Sequence, residues 1–312
     1  MTAPPKKPYE EMGLLDFERR FPDEKACWEY LILARWPEGI ACPGCKGRKF
    51  NLIQVRKVYE CKKCHKQVSA TAGTVFDKTR LPLRKWFWAI FLMATSKKGV
   101  SMLYLQRQLK IRSYRTAWLV GQKIRQAMTQ RDALYTLKED TVQADEIIIG
   151  GKRSFEAWQR SGTNKTNFLI MVDEDKKSKP RFVSFEQLET IYAKHLFPAL
   201  KKKIKKGASL KTDGFNVYRE ACKQGYYHHK IYAHASRKEE SERNLQWVNT
   251  LTSNLKRFLL STYHGVNRKY HKAYLAEFAY RFNRRYWPDQ AFDRLLYACI
   301  YSKPAPLPVL SA

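Results

Sequence analysis

The spacing of hydrophobic residues changes along the chain and separates a helical region from a mixed one. Over residues 82–128 the apolar positions recur with a helical period, which predicts several amphipathic helices. The first of these would bury a face made of Trp86, Phe87, Ile90, Phe91 and Ala94. Near residue 141 the spacing becomes that of β-strands, so a different kind of fold is expected to begin there.

The mixed region predicts alternating strands and helices. Residues 141–149 form a first buried strand, and two more follow over residues 167–172 and 181–185, joined by a hairpin turn at residues 173–177. The remaining pattern predicts a helix over 188–204, a strand over 209–213, a helix from 215, a strand over 230–234, and helices from about 241, over 273–286 and over 290–301. The expected fold class is therefore multidomain α/β, with the order β-β-β-α-β-α-β-α in this region.

A short helix, a tight turn and a longer helix follow one another around residue 111. Apolar residues precede the turn, and the longer helix opens at Tyr114. This order is typical of a helix-turn-helix, in which Arg112, Tyr114 and Arg115 would face DNA. An ordinary three-helix bundle has the same periodicity, so the pattern alone leaves both interpretations open.

Four of the seven cysteines form two Cys-x2-Cys pairs. Cys42 and Cys45 make the first pair, Cys61 and Cys64 the second, and fifteen residues separate the pairs. Two such turns supply the four thiolates of a tetrahedral site, and the alternating residues between them predict a hairpin, as in a zinc ribbon. Iron in a similar site and a thioredoxin-like redox pair are the chemical alternatives. The other cysteines lack partners at ligand spacing and are expected in the core: Cys27, Cys222 and Cys299.

An excess of positive charge indicates a polyanionic partner. Lys and Arg number 59 against 29 Asp and Glu, which gives a formal net charge of +30. Such an excess repels itself unless a partner neutralises it, and nucleic acid is the commonest one. Hydrophobic residues make up 44% of the chain, enough for folded cores, so a wholly disordered basic chain is excluded.

No membrane span and no export signal are expected. The longest apolar run, residues 86–94, has nine residues, whereas a bilayer requires about 20. The first eleven residues lack the apolar core of a secretory signal. We therefore expect a cytoplasmic protein whose cysteines are reduced or bind metal.

Two aspartates stand out in this basic chain. Asp145 lies within the first strand of the mixed region, and Asp213 ends the fourth. Adjacent parallel strands would bring the two carboxylates together, where they would repel each other unless a cation lay between them. Mg²⁺ meets that need, because it prefers oxygen ligands and leaves positions open for phosphate oxygens. The alternative is that Asp213 only forms a turn with Gly214 and that Asp145 is only a cap.

A third ligand is expected from the helix that begins near residue 241. Asn249 lies on this helix, with thirty-five residues between it and Asp213, and Lys256 follows seven residues later. Seven steps of about 100° return to within roughly 20° of the same direction, so the two side chains share one margin of the helix. The alternative for Lys256 is an ordinary surface lysine. The neighbouring apolar stripe consists of Leu245, Val248, Leu251, Leu255 and Leu259.

Several short motifs follow one another in a fixed order after the cysteine pairs and the helix-turn-helix pattern. They are Asp145-Glu146, Gly150-Gly151-Lys152, Thr212-Asp213-Gly214, Val248-Asn249-Thr250, Leu255-Lys256-Arg257, Thr262-Tyr263-His264-Gly265 and residues 277–285. The set, from about residue 15 to residue 301, resembles the ISXO-type bacterial insertion-sequence transposases. That family belongs to the RNase H-like, DDE-type polynucleotidyl transferases.

The resemblance implies a domain order and a function. The order is a helical lead-in over residues 1–38, a zinc ribbon over 39–70, a helix-turn-helix region over 80–132, an RNase H-like catalytic domain over 138–302 and a flexible tail over 303–312. The function would be DNA transposition: binding of double-stranded DNA at the terminal inverted repeats, cleavage of phosphodiester bonds, and joining of the 3′-hydroxyl to target DNA. Joining two ends implies at least a homodimer, in the bacterial cytoplasm at the nucleoid.

The resemblance also implies residue roles and cofactors. Asp145 and Asp213 would be the first two catalytic carboxylates, Asn249 would occupy the third position, and Lys256 would hold a phosphate. The cofactors would be structural Zn²⁺ and two catalytic ions of Mg²⁺ or Mn²⁺. Further DNA contacts are expected from Lys152, Arg153, Lys256, Arg257 and Arg284, with base stacking or core packing by Trp158, Trp247 and Tyr263.

Asn249 departs from the glutamate that is common at the third position. An amide oxygen can coordinate Mg²⁺ but removes one negative charge, so the second ion should bind more weakly. Glu239, Glu240 and Glu242 are the alternative ligands, although they are explained more simply as partners of the helix dipole. A DNA-binding regulator, an inactive transposase copy and an RNase H-like nuclease are the alternative functions.

Overall fold

The structure, a computed structural model, describes residues 12–150, 165–231 and 245–304. The chain divides into two compact units. The first comprises Met1–Arg131 and Tyr286–Ala312, and the second comprises Asp132–Arg285. Within the described ranges, no helix is both long enough and apolar enough to cross a bilayer.

Helices build most of the first unit. They are α1 (Leu14–Arg20), α2 (Glu24–Arg35), α3 (Leu83–Thr95), α4 (Met102–Gln108), α5 (Tyr114–Ala133) and α9 (Ala291–Tyr301), with the end of α5 in the second unit. A cluster of buried aromatic rings joins α1, α3 and α9, with ring centroids 5.5 Å apart for Phe17 and Phe292 and 6.0 Å apart for Phe87 and Phe292. The buried face of α9 packs on α3, and α9 falls in the first compact unit, whereas the catalytic domain predicted from the sequence extends to residue 302.

Helices α4 and α5 pack closely around one glycine. Ser101 caps α4 by accepting a hydrogen bond from the Tyr104 backbone N–H at 3.1 Å. A Cβ atom at Gly121 of α5 would lie 2.1 Å from the Met102 sulfur, so a larger residue there would force the Met102 side chain to move. The Met102 side chain of α4 therefore packs directly on the backbone of α5.

A three-stranded antiparallel sheet holds the cysteine pairs. Its strands are β1 (Phe50–Ile53), β2 (Val58–Cys61) and β3 (Gln67–Ser69), in the order β1-β2-β3. The first two strands form the predicted hairpin, with Phe50 opposite Cys61. This register brings the second cysteine pair back toward the first.

The second unit is built on a five-stranded mixed sheet. Its strands are β4 (Thr141–Ile149), β5 (Thr166–Glu174), β6 (Pro180–Leu188), β7 (Ser209–Thr212) and β8 (Tyr227–Lys230), in the order β6-β5-β4-β7-β8. Strands β4, β5 and β6 pair antiparallel, whereas β7 pairs parallel to both β4 and β8. The central position of β4 explains why most of its residues are buried or half-buried, because elements cover it on both faces.

Helices cover the two faces of this sheet. On one face Val142 and Ala144 of β4 pack in a core with α6 (Ala193–Lys203). On the other face Ile147 of β4 packs with α7 (Gln246–Tyr263) and α8 (His271–Asn283). Because successive strand residues alternate between faces, Asp145 faces α7 and Glu146 faces the α6 side.

Two local predictions in this unit were wrong. The predicted turn at residues 173–177 begins later, since Asp173 and Glu174 are buried within β5 and Asp175 starts the turn. The helix predicted from residue 215 is a single 3-10 turn, Asn216–Tyr218. Its start is occupied by an Asx turn, in which Asp213 accepts a hydrogen bond from the Phe215 N–H at 2.9 Å and competes with a regular helix. The predicted strand end at residues 232–234 and helix start near 241 lie outside the described residues.

Candidate metal centres and DNA-facing residues

Four cysteine sulfurs converge beside the three-stranded sheet. The Sγ atoms of Cys42 and Cys64 are 3.5 Å apart, as are those of Cys45 and Cys61, and all four lie within 4.8 Å of one another. Tetrahedral zinc with Zn–S bonds of about 2.3 Å needs sulfurs about 3.8 Å apart, so the spacing fits one ion. In the described part of the chain, no other three or more His, Cys, Asp or Glu side chains come this close.

The two cysteine pairs sit in equivalent turns. The Lys46 N–H donates to the Cys42 carbonyl at 3.0 Å, and the His65 N–H donates to the Cys61 carbonyl at 2.9 Å. Lys46 and His65 both adopt a left-handed backbone, with φ of 59° and 58°. Backbone N–H groups point at the Cys42 sulfur and lower the pKa of this thiol to about 6, which favours the thiolate that binds zinc.

Asp145 lies on β4, and Asp213 directly follows its parallel neighbour β7. Strand β4 pairs with β7 from Thr141 opposite Ser209 to Gln143 opposite Lys211. Both aspartates lie two residues beyond this last pair, and the charge of Asp213 acts on Asp145. The predicted adjacency of these strands is thus confirmed. Asp145 is largely buried within β4, and Asp213 is exposed just beyond β7.

Asp145 and Asp213 bring two negative charges into a partly buried region. Burial and then the charge of Asp213 raise the pKa of Asp145 to about 6, although the Glu146 N–H and Lys256 act in the opposite direction. Ionised carboxylates here repel each other, and a divalent cation with hard oxygen ligands would relieve that repulsion. The chemistry of the two aspartates therefore fits Mg²⁺ or Mn²⁺.

Glu146 is an acidic neighbour that sequence reasoning passed over. Burial raises the pKa of its carboxyl to about 7, and the charges of Asp145 and Asp213 act in the same direction. It lies on the opposite face of β4 from Asp145, on the side of buried Tyr218. The sequence feature that could have pointed to Glu146 is its place beside Asp145, as a second acid in the same central strand.

Helix α7 presents Asn249 and Lys256 on its exposed side. The charge of Lys256 lowers the pKa of Asp145, and the Lys256 side chain is exposed. Asn249 is exposed in the first turn of α7, next to buried Val248. Within the described ranges no third Asp, Glu, His or Cys forms a close group with the two aspartates, and Glu239, Glu240 and Glu242 lie outside those ranges.

Two family models match this chain. A transposase zinc-ribbon domain matches residues 22–67, which include all four clustered cysteines, and an ISXO2-like transposase domain matches residues 136–283, which include both aspartates. The domain over residues 136–283 therefore belongs to the ISXO2-like transposase family. The matched transposase domain ends before α9, in agreement with the boundary of the second unit.

One relative covers most of this transposase. A Halobacterium salinarum protein described as an uncharacterized protein in transposable element ISH50 is 24% identical over 280 residues, which are 84% of this chain and 92% of the relative. The comparison with solved structures gives no significant match.

The transposase exposes several of the basic residues predicted to contact DNA. Arg112, Tyr114 and Arg115 are exposed at the turn before α5 and on its first turn. Lys256 and Arg257 are exposed on α7. Three further predicted residues lie outside the described ranges: Lys152, Arg153 and Trp158.

Arg284 is engaged inside the protein instead. Its guanidinium forms an ion pair with Asp132 at 2.7 Å, donates to the Tyr280 carbonyl at 3.0 Å and lies 3.4 Å from the centre of the Tyr280 ring. Only 10% of its side chain is exposed, so the structure argues against the predicted phosphate contact. The same motif supplies Asn283, whose amide bonds both the N–H and the carbonyl of Val183 on the edge strand β6.

Other residues with two predicted roles also serve the fold. The Trp247 indole N–H donates to the Ser178 carbonyl at 2.8 Å, and the Tyr263 hydroxyl bonds Glu277 at 3.0 Å. Lysines at the end of α6 also have partners within the protein: Lys203 is buried and donates to three backbone carbonyls. Lys202 and Lys205 form ion pairs with Glu186 and Asp140, which are 2.9 Å and 2.7 Å away.

A pair of arginine substitutions separates these roles. Arg284→Ala should destabilise the second unit by about 3–5 kcal/mol, because it leaves Asp132 buried without its ion-pair partner. Arg115→Ala should leave stability within about 0.5 kcal/mol but reduce the slope of log K against log salt for DNA binding by about 1. Urea unfolding and DNA titrations at several salt concentrations measure both effects. A reduced salt slope for an Arg284 variant that remains folded would contradict the assignment.

Proposed function

We propose that this transposase binds the ends of a mobile element, cleaves phosphodiester bonds there and joins the resulting 3′-hydroxyl to target DNA. The observation that supports it best is that Asp145 lies on β4 and Asp213 directly follows its parallel neighbour β7, close enough for the charges of Asp213 and Lys256 to act on Asp145. Two carboxylates and a cation at the exposed end of a strand pair suit a substrate whose reacting group is a phosphate.

The sheet supports the RNase H-like part of the proposal. Three antiparallel strands are followed by two parallel ones, with the first strand of the domain, β4, at the centre. The expected catalytic carboxylates fall on β4 and at the end of its parallel neighbour. This arrangement agrees with the motif order in the sequence.

Asp145, Asp213 and Asn249 would hold Mg²⁺ or Mn²⁺. When bound, the metal would stabilise negative charge on the attacking and leaving oxygens of the phosphodiester. Asn249 contributes a neutral oxygen, so the two aspartates would supply the negative charge of the ligand set. Lys256 would hold a phosphate oxygen, because its side chain is exposed and its positive charge acts on Asp145.

DNA binding is assigned to the first unit together with α7. The turn between α4 and α5 exposes Arg112, Tyr114 and Arg115, and we infer that the longer helix enters the major groove as in a helix-turn-helix. The zinc ribbon would add a second contact with DNA. Joining two ends would require at least two copies of the chain.

The test uses the purified full chain, duplex DNA carrying the element ends, and Mg²⁺ or Mn²⁺. We expect a new 3′-hydroxyl at each element end and products in which that end is joined to a second duplex, resolved on sequencing gels. Binding without cleavage in either metal would point to a regulator or an inactive copy. Cleavage without joining would point to a nuclease.

A further inference from the structure

The first turn of α7 is capped by a side chain from the sheet. Gln143 of β4 is 2% exposed, and its Oε1 accepts hydrogen bonds from the backbone N–H groups of Trp247 and Val248, both at 3.1 Å. The N-cap residue of α7, Leu245, makes no side-chain cap. A strand residue therefore satisfies the N–H groups that helix starts leave open.

A buried ion pair fixes the orientation of that amide. The Gln143 Nε2 donates to Glu174, which is 4% exposed and also accepts a hydrogen bond from the Lys211 ammonium at 3.0 Å. Because Glu174 only accepts, the Nε2 of Gln143 must face it, and the Oε1 must face the helix. Reversing the amide would set its NH2 group against two N–H donors.

Each end of this network adjoins a residue of the acidic site. Gln143 lies two residues before Asp145 on the same face of β4, and Lys211 lies two residues before Asp213 in line with β7. Val248, whose N–H bonds Gln143, directly precedes Asn249. Three strands and one helix are thus joined by hydrogen bonds one or two residues before the three candidate metal ligands.

We propose that Gln143, Glu174 and Lys211 are positioning residues that set the spacing of Asp145, Asp213 and Asn249 and thereby the affinity for the divalent metal. The inference rests on the proposed function, since it takes these three residues as the ligands. None of the positioning residues needs to touch the metal or the DNA. Residues that orient ligands in this way typically contribute 10- to 100-fold to metal affinity.

The test compares two buried amides of the same unit. Gln143→Met removes the network at similar volume, and the matched control Asn283→Leu removes the two bonds to Val183 on the far edge of the sheet. Both variants of the full chain should unfold at lower temperature. Only Gln143→Met should raise the Mn²⁺ dissociation constant, measured by electron paramagnetic resonance, and the Mg²⁺ concentration for half-maximal cleavage, each by about 10- to 100-fold.

Two further variants keep the test decisive. Glu174→Gln preserves shape and one acceptor oxygen, so its shift in Mn²⁺ affinity should have the same direction and be smaller; it replaces Gln143→Met if that variant fails to fold. Equal Mn²⁺ affinity in folded Gln143→Met and in Asn283→Leu overturns the positioning role. Only the Mn²⁺ binding that Asp145→Asn abolishes is attributed to the proposed metal site. If Asp145→Asn removes none, the proposed metal site has failed rather than the network.

Discussion

Replacing Asp145 with Asn should reduce DNA cleavage by at least about a thousandfold. The substitution removes one of the two carboxylates expected to hold the metal, and charge stabilisation of several kcal/mol corresponds to a rate factor of this size. Asp213→Asn should have a similar effect. The matched control is Asp140→Asn, because Asp140 is exposed just before β4, pairs with Lys205 and should leave cleavage unchanged.

Asp145→Asn should remain at least as stable as the parent protein. Its loss of cleavage could then not be explained by unfolding. Burial and the charge of Asp213 raise the pKa of Asp145 to about 6, so its contribution to stability is complete below about pH 4 and is lost as the pH rises through 6. Without added Mg²⁺ or Mn²⁺, Asp145→Asn should match the parent near pH 4 and exceed it by about 3 kcal/mol at pH 7.

Native-state hydrogen exchange of the β5 amides, followed from pH 4 to pH 7, measures this difference. An inactive variant that is also less stable at every pH would mean that Asp145 serves the fold, and the catalytic assignment would be wrong. Unchanged cleavage in a stable variant would exclude Asp145 from the chemistry altogether. Added Mn²⁺ should stabilise the parent but not the variant, because only the parent keeps the ligand set.

The acidic pair could be predicted because its strands have a strong local signal. Strand β4 carries apolar residues on both of its faces, which is typical of a central strand, and two adjacent acids stand out within it. Asp213 follows the short strand β7 and precedes Gly214, which is typical of a strand end. Only the parallel pairing of β4 with β7, a tertiary fact, brought the two strands together.

The errors arose where tertiary contacts override composition. The charged residues 173–177 are typical of a turn, yet Asp173 accepts hydrogen bonds from the N–H groups of Lys138, Glu139 and Phe182 and is buried. Arg284 could not be told from a phosphate-binding arginine, since its partners Asp132 and Tyr280 were not known to be near it. Gln143 was predictable only as a polar residue in an apolar strand.

Removing zinc should unfold the ribbon while leaving the five-stranded sheet folded. Between residues 39 and 69, all of which the structure describes, the buried side chains are Cys42 and Cys61, so the ribbon has almost no apolar core. Burial of hydrophobic surface cannot stabilise such a segment, and metal binding, typically about 10 kcal/mol or more, must do so. Cys64→Ser should therefore lose zinc and the hydrogen-exchange protection of β1, β2 and β3.

His65→Ala is the matched control, because His65 follows Cys64 directly but turns its ring toward Glu60, 3.4 Å away. It should retain one zinc per chain by atomic emission spectroscopy, and β1–β3 should stay protected. Protection of β4 and β5 should be the same in both variants, since these strands have their own core. A Cys64→Ser protein whose ribbon stays ordered without zinc would show that the fold does not depend on the metal. Any change in its DNA affinity would then be due to loss of the cysteine itself.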